Sequence, residues 1–189
     1  MRASSFTLVL ASQSPRRSEL LTTAGFQFTV RAKPVEERRR AGESPRDYVM
    51  RLAQEKAEAA WEGRDELVLG ADTTVVLGDR VLEKPGDAAE AREMLTALSG
   101  VEHVVMTGIC LRHRSVVVSD CESTLVRFAP LTRQEIEDYV ASGEPMDKAG
   151  AYAIQGLASK FIERIEGCYF NVMGLPLAMF YKHWKRLAV

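Results

Sequence analysis

Cysteine is scarce in this chain. The three residues, Cys110, Cys121 and Cys168, are widely separated and odd in number, with neither a disulfide framework nor zinc-ligand spacing. They read as small buried or idle thiols in a reducing compartment. The three histidines, His103, His113 and His183, form no i, i+4 metal-binding pair, and no role is assigned to them. Charge of one sign is also lacking. The formal net charge is -1 at pH 7, which argues against nucleic-acid binding through bulk charge but leaves room for a local basic cluster to hold a small anion. No segment approaches the roughly 18 consecutive apolar residues of a membrane span, so no membrane partner is expected. The opening MRASSFTLVLASQSPRR has a short apolar run without a small-residue cleavage site, and reads as leading into a first strand. A cytoplasmic location follows. Also missing are G-x-x-x-x-G-K-[ST], G-x-G-x-x-G after a strand, and G-x-S-x-G. Common kinase, GTPase, dinucleotide-binding and α/β-hydrolase readings lose support accordingly.

What is present is an ordinary globular composition, 46% hydrophobic and 27% charged over 189 residues, of a size for a single domain spanning residues 1–189. Strand and helix signals alternate. Phe6–Ala11 has strand length. Ser14 and Pro15 stand at N-cap and first helical positions, and the helix should stop at Gly25. Further helices are expected from Pro45 to Trp61, from Asp87 to Leu98 and from Thr132 to Ser142. Each opens on a capping-box pattern: Ser44/Asp47, Asp87/Glu90 and Thr132/Glu135. Strands are expected at 27–30, 67–77, 80–83, 101–111, 116–128 and 160–165, and a closing amphipathic helix at 175–187. Residues 143–156 are glycine-rich and mixed. The pattern is that of a mixed α/β domain.

Four places break the local rules, and such places are candidate sites. Arg16-Arg17 follows Pro15 at a helix start, where cations oppose the macrodipole. A phosphate held by the helix N–H groups and the loop hydroxyls would reconcile this; Glu19 and solvent neutralising two surface arginines is the alternative. On the same logic, removing either arginine should not weaken the unliganded fold. Lys56 lies seven after Val49, four after Leu52 and four before Ala60, on the apolar stripe of its helix. It either snorkels or holds an anion in a cleft. Asp72 interrupts an apolar strand, an expensive placement unless it is paired, protonated or metal-bound, with an edge-strand aspartate facing water as the alternative. Gly70, just before it, admits a ligand or another backbone. Glu83-Lys84-Pro85 reads by itself as a surface turn, and Arg38-Arg39-Arg40 as a solvated loop.

Taken together, several ordered blocks resemble a known family. Leu10-Ala-Ser-Gln-Ser-Pro-Arg-Arg-Ser-Glu-Leu-Leu21 resembles the N-terminal signature of the Maf-like nucleoside triphosphate pyrophosphatases. Gly70-Ala-Asp-Thr73, Glu83-Lys-Pro85, Leu98-Ser-Gly100, Asp147-Lys-Ala-Gly-Ala-Tyr152 and Gly174-Leu-Pro-Leu177 follow in the family's order. The resemblance implies a mixed, elongated α/β sheet flanked by helices, with two lobes around a cleft, similar to inosine triphosphate pyrophosphatases. It implies cleavage between the α- and β-phosphates of a nucleotide, with a divalent metal cation, Mg2+ or Mn2+. Carried over by position, it gives a phosphate grip from Ser12, Ser14, Arg16 and Arg17, a general base and metal ligand in Asp72, a second acid and ligand in Glu37, and two phosphate-facing lysines in Lys56 and Lys84. Here the block Pro34-Val-Glu-Glu-Arg38 departs from the family's more acidic version, and Glu36 stands beside Glu37 as the other candidate. The 147–156 block resembles the subgroup acting on dTTP and UTP, in which Thr73 and Gln155, with Arg17, set specificity. A glutamine amide can meet the O4 and N3–H edge of thymine or uracil; Gln155 tying down its own loop is the bland alternative. The implied partner is a small-molecule nucleotide, with a homodimer as the candidate assembly. A regulatory nucleotide-binding protein acting in septum formation is the contrasting function, and it would need the phosphate grip without Asp72 or metal.

Overall fold

The computed structural model describes residues 6–63 and 65–187. The reading of Met1–Ser5 as the lead into the first strand lies outside them. In chain order the elements are β1 (Thr7–Leu10), α1 (Pro15–Thr23), β2 (Phe28–Val30), α2 (Pro45–Ala60), β3 (Glu66–Leu77), β4 (Arg80–Leu82), α3 (Ala88–Leu98), β5 (Glu102–His113), β6 (Val116–Phe128), α4 (Arg133–Ala141), β7 (Ile162–Glu166), α5 (Tyr169–Val172) and α6 (Leu177–Leu187). This is a mixed α/β fold on one seven-stranded sheet, ordered β2-β1-β3-β5-β6-β7 with β4 paired to β3. β1 runs parallel to both neighbours, with Leu8 opposite Phe28 and Leu67. β4 returns antiparallel on β3 across the Gly78-Asp79 turn, with Val76 opposite Val81.

The chain forms two compact units. One comprises Met1–Asp72, Thr107–Glu122 and Gly174–Val189; the other comprises Thr73–Met106 and Ser123–Met173. In the first unit, the small-residue face of α2 (Ala53, Ala57, Ala60) packs on Val9, Val68 and Cys110. Two glycines make this possible. A Cβ on Gly70 of β3 would lie 2.0 Å from the Ala53 carbonyl oxygen, and one on Gly108 of β5 would lie 2.4 Å from that of Val49. Helix α2 therefore rests backbone to backbone on two adjacent strands. The close approach expected at Gly70 is that of a helix.

In the second unit, α3 and α4 cover β3, β5 and β6 around a core that includes Val75, Leu95, Val126 and Phe128. Between α4 and β7 the glycine-rich stretch forms three 3-10 turns, Glu144–Asp147, Ala149–Ala151 and Leu157–Phe161. Gly150 and Ala151 both take positive φ, 67° and 61°. The Gly150 N–H donates to the Glu83 carbonyl at 3.1 Å, and a Cβ there would meet Val75 at 2.8 Å.

Most expected boundaries hold within one or two residues, with informative differences. Thr132 and Glu135 form the full reciprocal capping box. Asp87 caps Ala89 and Glu90, but the Glu90 carboxylate accepts from Gly86 N–H at 2.7 Å instead of from Asp87. Ser14 occupies the N-cap position without capping α1 through its side chain. Helix α5, a single turn, carries too little periodicity for sequence reading to find. Among the described residues, no helix is long and apolar enough to cross a membrane.

Candidate active site

Helix α2 and strand β3 meet at an acid–lysine–acid group within the first unit. Lys56 extends from the α2 stripe, its side chain 13% exposed, and its ammonium lies 2.6 Å from Asp72 Oδ1 and 2.6 Å from Glu37 Oε1. Asp72 is itself 12% exposed. Of the two readings open for Lys56, snorkelling to solvent is excluded in this state. The expense of burying Asp72 is met by pairing, as its position in an apolar run requires. Glu37, not singled out by any strand or helix pattern, reaches the group from the irregular loop 31–44. Tyr48 of α2 steadies that loop, its hydroxyl donating to the Glu37 carbonyl at 3.3 Å.

One ammonium shared by two carboxylates brings two anionic oxygens within twice 2.6 Å of each other. Among the described residues, no cluster of three His, Cys, Asp or Glu side chains is set to hold a metal. Two carboxylates are nevertheless the complement magnesium takes when substrate phosphates and water complete its octahedron. The donor set fits that ion.

At the start of α1 the two arginines part company. Arg17 is buried, donating through Nε to the Gly174 carbonyl at 2.8 Å and through one terminal nitrogen to Ser12 Oγ at 3.0 Å and the Ala71 carbonyl at 2.9 Å. Burial pulls its pKa below the ordinary value, while the nearby carboxylates of Asp72 and Glu37 act in the opposite sense. Arg17 thus locks together three of the blocks noted in the sequence: the loop at Ser12, the strand residue before Asp72, and Gly174. The expectation that its loss leaves the unliganded fold unharmed is overturned. Three of the five guanidinium donors hold backbone or hydroxyl oxygens of the fold itself. Arg16 is half-buried. Ser12 Oγ also accepts from the Ser14 N–H at 3.2 Å, which shapes the loop ahead of the helix. The Ser14 hydroxyl does not cap α1, and the start of a helix is a place that suits an anion.

The remaining candidates belong to the second unit. Thr73 follows Asp72 in β3 and points to the opposite face of the strand. Lys84 is exposed beyond the end of β4; its neighbour Glu83 fastens the 147–152 segment through the Gly150 contact. Gln155 is exposed at a turn closed by the Gly156 N–H donating to the Ala153 carbonyl at 3.2 Å. In the same unit sequence reading missed His103. It is 2% exposed, with Nε2 at 2.8 Å from the hydroxyl of Tyr152. No spacing rule marks a lone histidine in a strand.

Curated relatives match along nearly the whole chain. A dTTP/UTP pyrophosphatase of Koribacter versatilis is 50% identical over 183 residues, covering 96% of this chain and 95% of its own. One from an Anaeromyxobacter species is 56% identical over 178 residues, covering 92% and 85%. One from Salmonella typhimurium is 54% identical over 178 residues, covering 93% and 90%. Among solved structures, a HAM1 protein from Coxiella burnetii is similar with a TM-score of 0.47 at 17% identity, covering 68% of this chain and 75% of that one. The family model described as "Maf-like protein" aligns with residues 7–187, so that every block quoted from the sequence falls inside the match, and the chain belongs to that family.

Proposed function

We propose that this protein is a nucleoside triphosphate pyrophosphatase that hydrolyses dTTP and UTP to the monophosphate and pyrophosphate. The observation that carries the reading is the group at Lys56, where one ammonium lies 2.6 Å from the carboxylates of both Asp72 and Glu37. Relatives at 50–56% identity carrying that name support the substrate class. In this reading Asp72 takes the proton of the attacking water, the water oxygen bonds to the α-phosphorus, and the bond from that phosphorus to the bridging oxygen breaks, with pyrophosphate leaving. Ser12, Ser14, Arg16 and the start of α1 hold phosphate oxygens, and Arg17 orders the loop that presents them. Lys56 and Lys84 offset charge that shifts onto the phosphate oxygens as the bond breaks. Asp72 and Glu37 would hold Mg2+ or Mn2+, which when bound supplies Lewis-acid polarisation of the phosphates. Thr73 and Gln155 are assigned to the base. A cytoplasmic setting is part of the proposal, in keeping with three unpaired thiols, two of which burial pushes toward the neutral form, Cys121 to about 11.

The test is pyrophosphate release from dTTP, UTP, CTP, GTP and 7-methyl-GTP, with magnesium and with chelator. Metal-dependent release, highest kcat/KM on dTTP or UTP, is the expected outcome. Tight binding of nucleotide without turnover would favour the regulatory reading instead, and a maximum on 7-methyl-GTP would refute the pyrimidine assignment.

A further inference from the structure

Gln155 sits on a turn whose geometry is set by a different residue. Glu144, in the first 3-10 turn after α4, sends its carboxylate back to the chain just beyond Gln155. One oxygen, Oε2, accepts from the Leu157 N–H at 3.0 Å. The other, Oε1, accepts from the buried Tyr139 hydroxyl at 2.9 Å. Burial, and then the Glu144 carboxylate itself, push the Tyr139 phenol upward, so it remains a donor across the working pH range. The Glu144 carbonyl is held in turn by Lys148 Nζ at 2.6 Å. Both ends of the residue are therefore fixed.

The sequence between these contacts contains a matching feature. Gly156 has φ -100° and ψ -155°, extended backbone with negative φ, so a left-handed conformation does not explain the glycine there. Space does. A Cβ at this position would lie 2.1 Å from Glu144 Oε1 and 2.5 Å from its carboxyl carbon. The carboxylate is pressed against the Gly156 α-carbon while it holds the next N–H. It thus fixes the peptide group between Gly156 and Leu157, while the Gly156 N–H is held by the Ala153 carbonyl at 3.2 Å.

We propose that Glu144 is a positioning residue for base recognition: seated against Gly156 and bonded to Leu157 N–H, it sets the direction of the Gln155 amide and so the discrimination between uracil and cytosine nucleotides. The inference rests on Gln155 reading the base. Glu144 does not touch substrate, and its loss should move KM for UTP and the UTP-over-CTP ratio of kcat/KM while leaving kcat on UTP within a few fold.

Four variants test this: Gln155→Ala, Glu144→Ala, Glu144→Gln and the double variant Glu144→Ala/Gln155→Ala. Gln155→Ala should narrow the UTP/CTP ratio. Glu144→Ala should narrow it by about tenfold, the scale of one misplaced hydrogen bond. Glu144→Gln keeps a carbonyl acceptor for Leu157 and an amide for the Tyr139 oxygen, and should restore most of the ratio. In the Gln155→Ala background, Glu144→Ala should narrow the ratio no further, since it acts through the missing amide. If Glu144→Ala does not fold, Gly156→Ala carries the same test, because its methyl must displace the same carboxylate. An unchanged ratio in folded Glu144→Ala or Gly156→Ala, with Gln155→Ala narrowing it, overturns the proposal. So does equal narrowing by Glu144→Ala with and without Gln155. A ratio unmoved by Gln155→Ala refutes the base-reading role itself and removes the ground for Glu144.

Discussion

Arg16 and Arg17 are neighbours in sequence with the same side chain, yet their removal should have opposite consequences. Arg17→Ala takes a donor from two backbone carbonyls and from Ser12 Oγ. Each buried acceptor left unpaired is destabilising by about 1–3 kcal/mol, so the unliganded protein should lose at least about 2 kcal/mol in urea unfolding. Arg16→Ala should change stability by no more than about 0.5 kcal/mol, in either direction, because a cation at a helix start is unfavourable, while substrate KM rises. Equal losses in the two variants would contradict this division. At Asp72 the argument turns on chemistry. Asp72→Asn keeps the shape, and Glu37 still partners Lys56 at 2.6 Å, so melting should shift by only a few degrees. Turnover should fall by at least about 100-fold, the usual loss with a general base; retention of more than a tenth of the rate would exclude that role. The carboxylate in an apolar strand and the lysine on an apolar stripe were both legible as anomalies. That they neutralise one another was not, because the pair joins a helix and a strand 16 residues apart, a contact no local rule encodes. Glu37 was legible only by resemblance, since its loop has no period.

At the scale of elements, patterning located the helices and long strands well, and the errors follow physical lines. Caps were identified from residue type, but which partner a carboxylate selects depends on how the chain enters the helix. Hence Glu90 bonds Gly86 N–H and not Asp87. Sequence also flagged Gly70 while passing over Gly108, although both serve the packing of α2. The second lies in a run where nothing but the facing helix explains it. Gly70→Ala should be the more instructive change. Its methyl would meet the Ala53 carbonyl oxygen at 2.0 Å, and backbone cannot yield as a side-chain tip does. Overpacking of this kind is destabilising by about 3 kcal/mol, and α2 must move away from β3, carrying Lys56 from Asp72. Stability and kcat/KM should fall together in Gly70→Ala. A substitution that lowered only activity would mean that the glycine serves a ligand and not the helix.

For the molecule as a whole, acid stability should reveal the buried His103. The His103 ring is 2% exposed, edge-on to Phe128 and Tyr152 with centroids at 5.1 and 5.4 Å. Nε2 lies 2.8 Å from the Tyr152 hydroxyl, and Nδ1 meets no hydrogen-bond partner among the described residues. A charged imidazolium is poorly accommodated there, and burial lowers its pKa from 6.5 to about 4. The folded-state pKa is depressed, so the unfolded chain binds the proton first. The stabilisation is therefore fully present above the unfolded pKa of about 6.5 and is lost progressively as pH falls toward about 4. The full shift corresponds to a loss of as much as about 3 kcal/mol. The carboxylates act in a lower window. Glu43, held down to about 2 chiefly by its hydrogen bonds to Arg51, contributes stability present above its ordinary value and lost only below about 4.5. Between about pH 6.5 and 4.5 the slope of unfolding free energy against pH should then come mainly from His103. The variant His103→Phe should be less stable at neutral pH, because Tyr152 loses its hydrogen-bond partner, yet its stability should be nearly flat through that window. Urea unfolding of both proteins across the range separates the two effects. The same slope in variant and parent would mean that the proton binds elsewhere, and that His103 is held neutral by nothing that folding supplies.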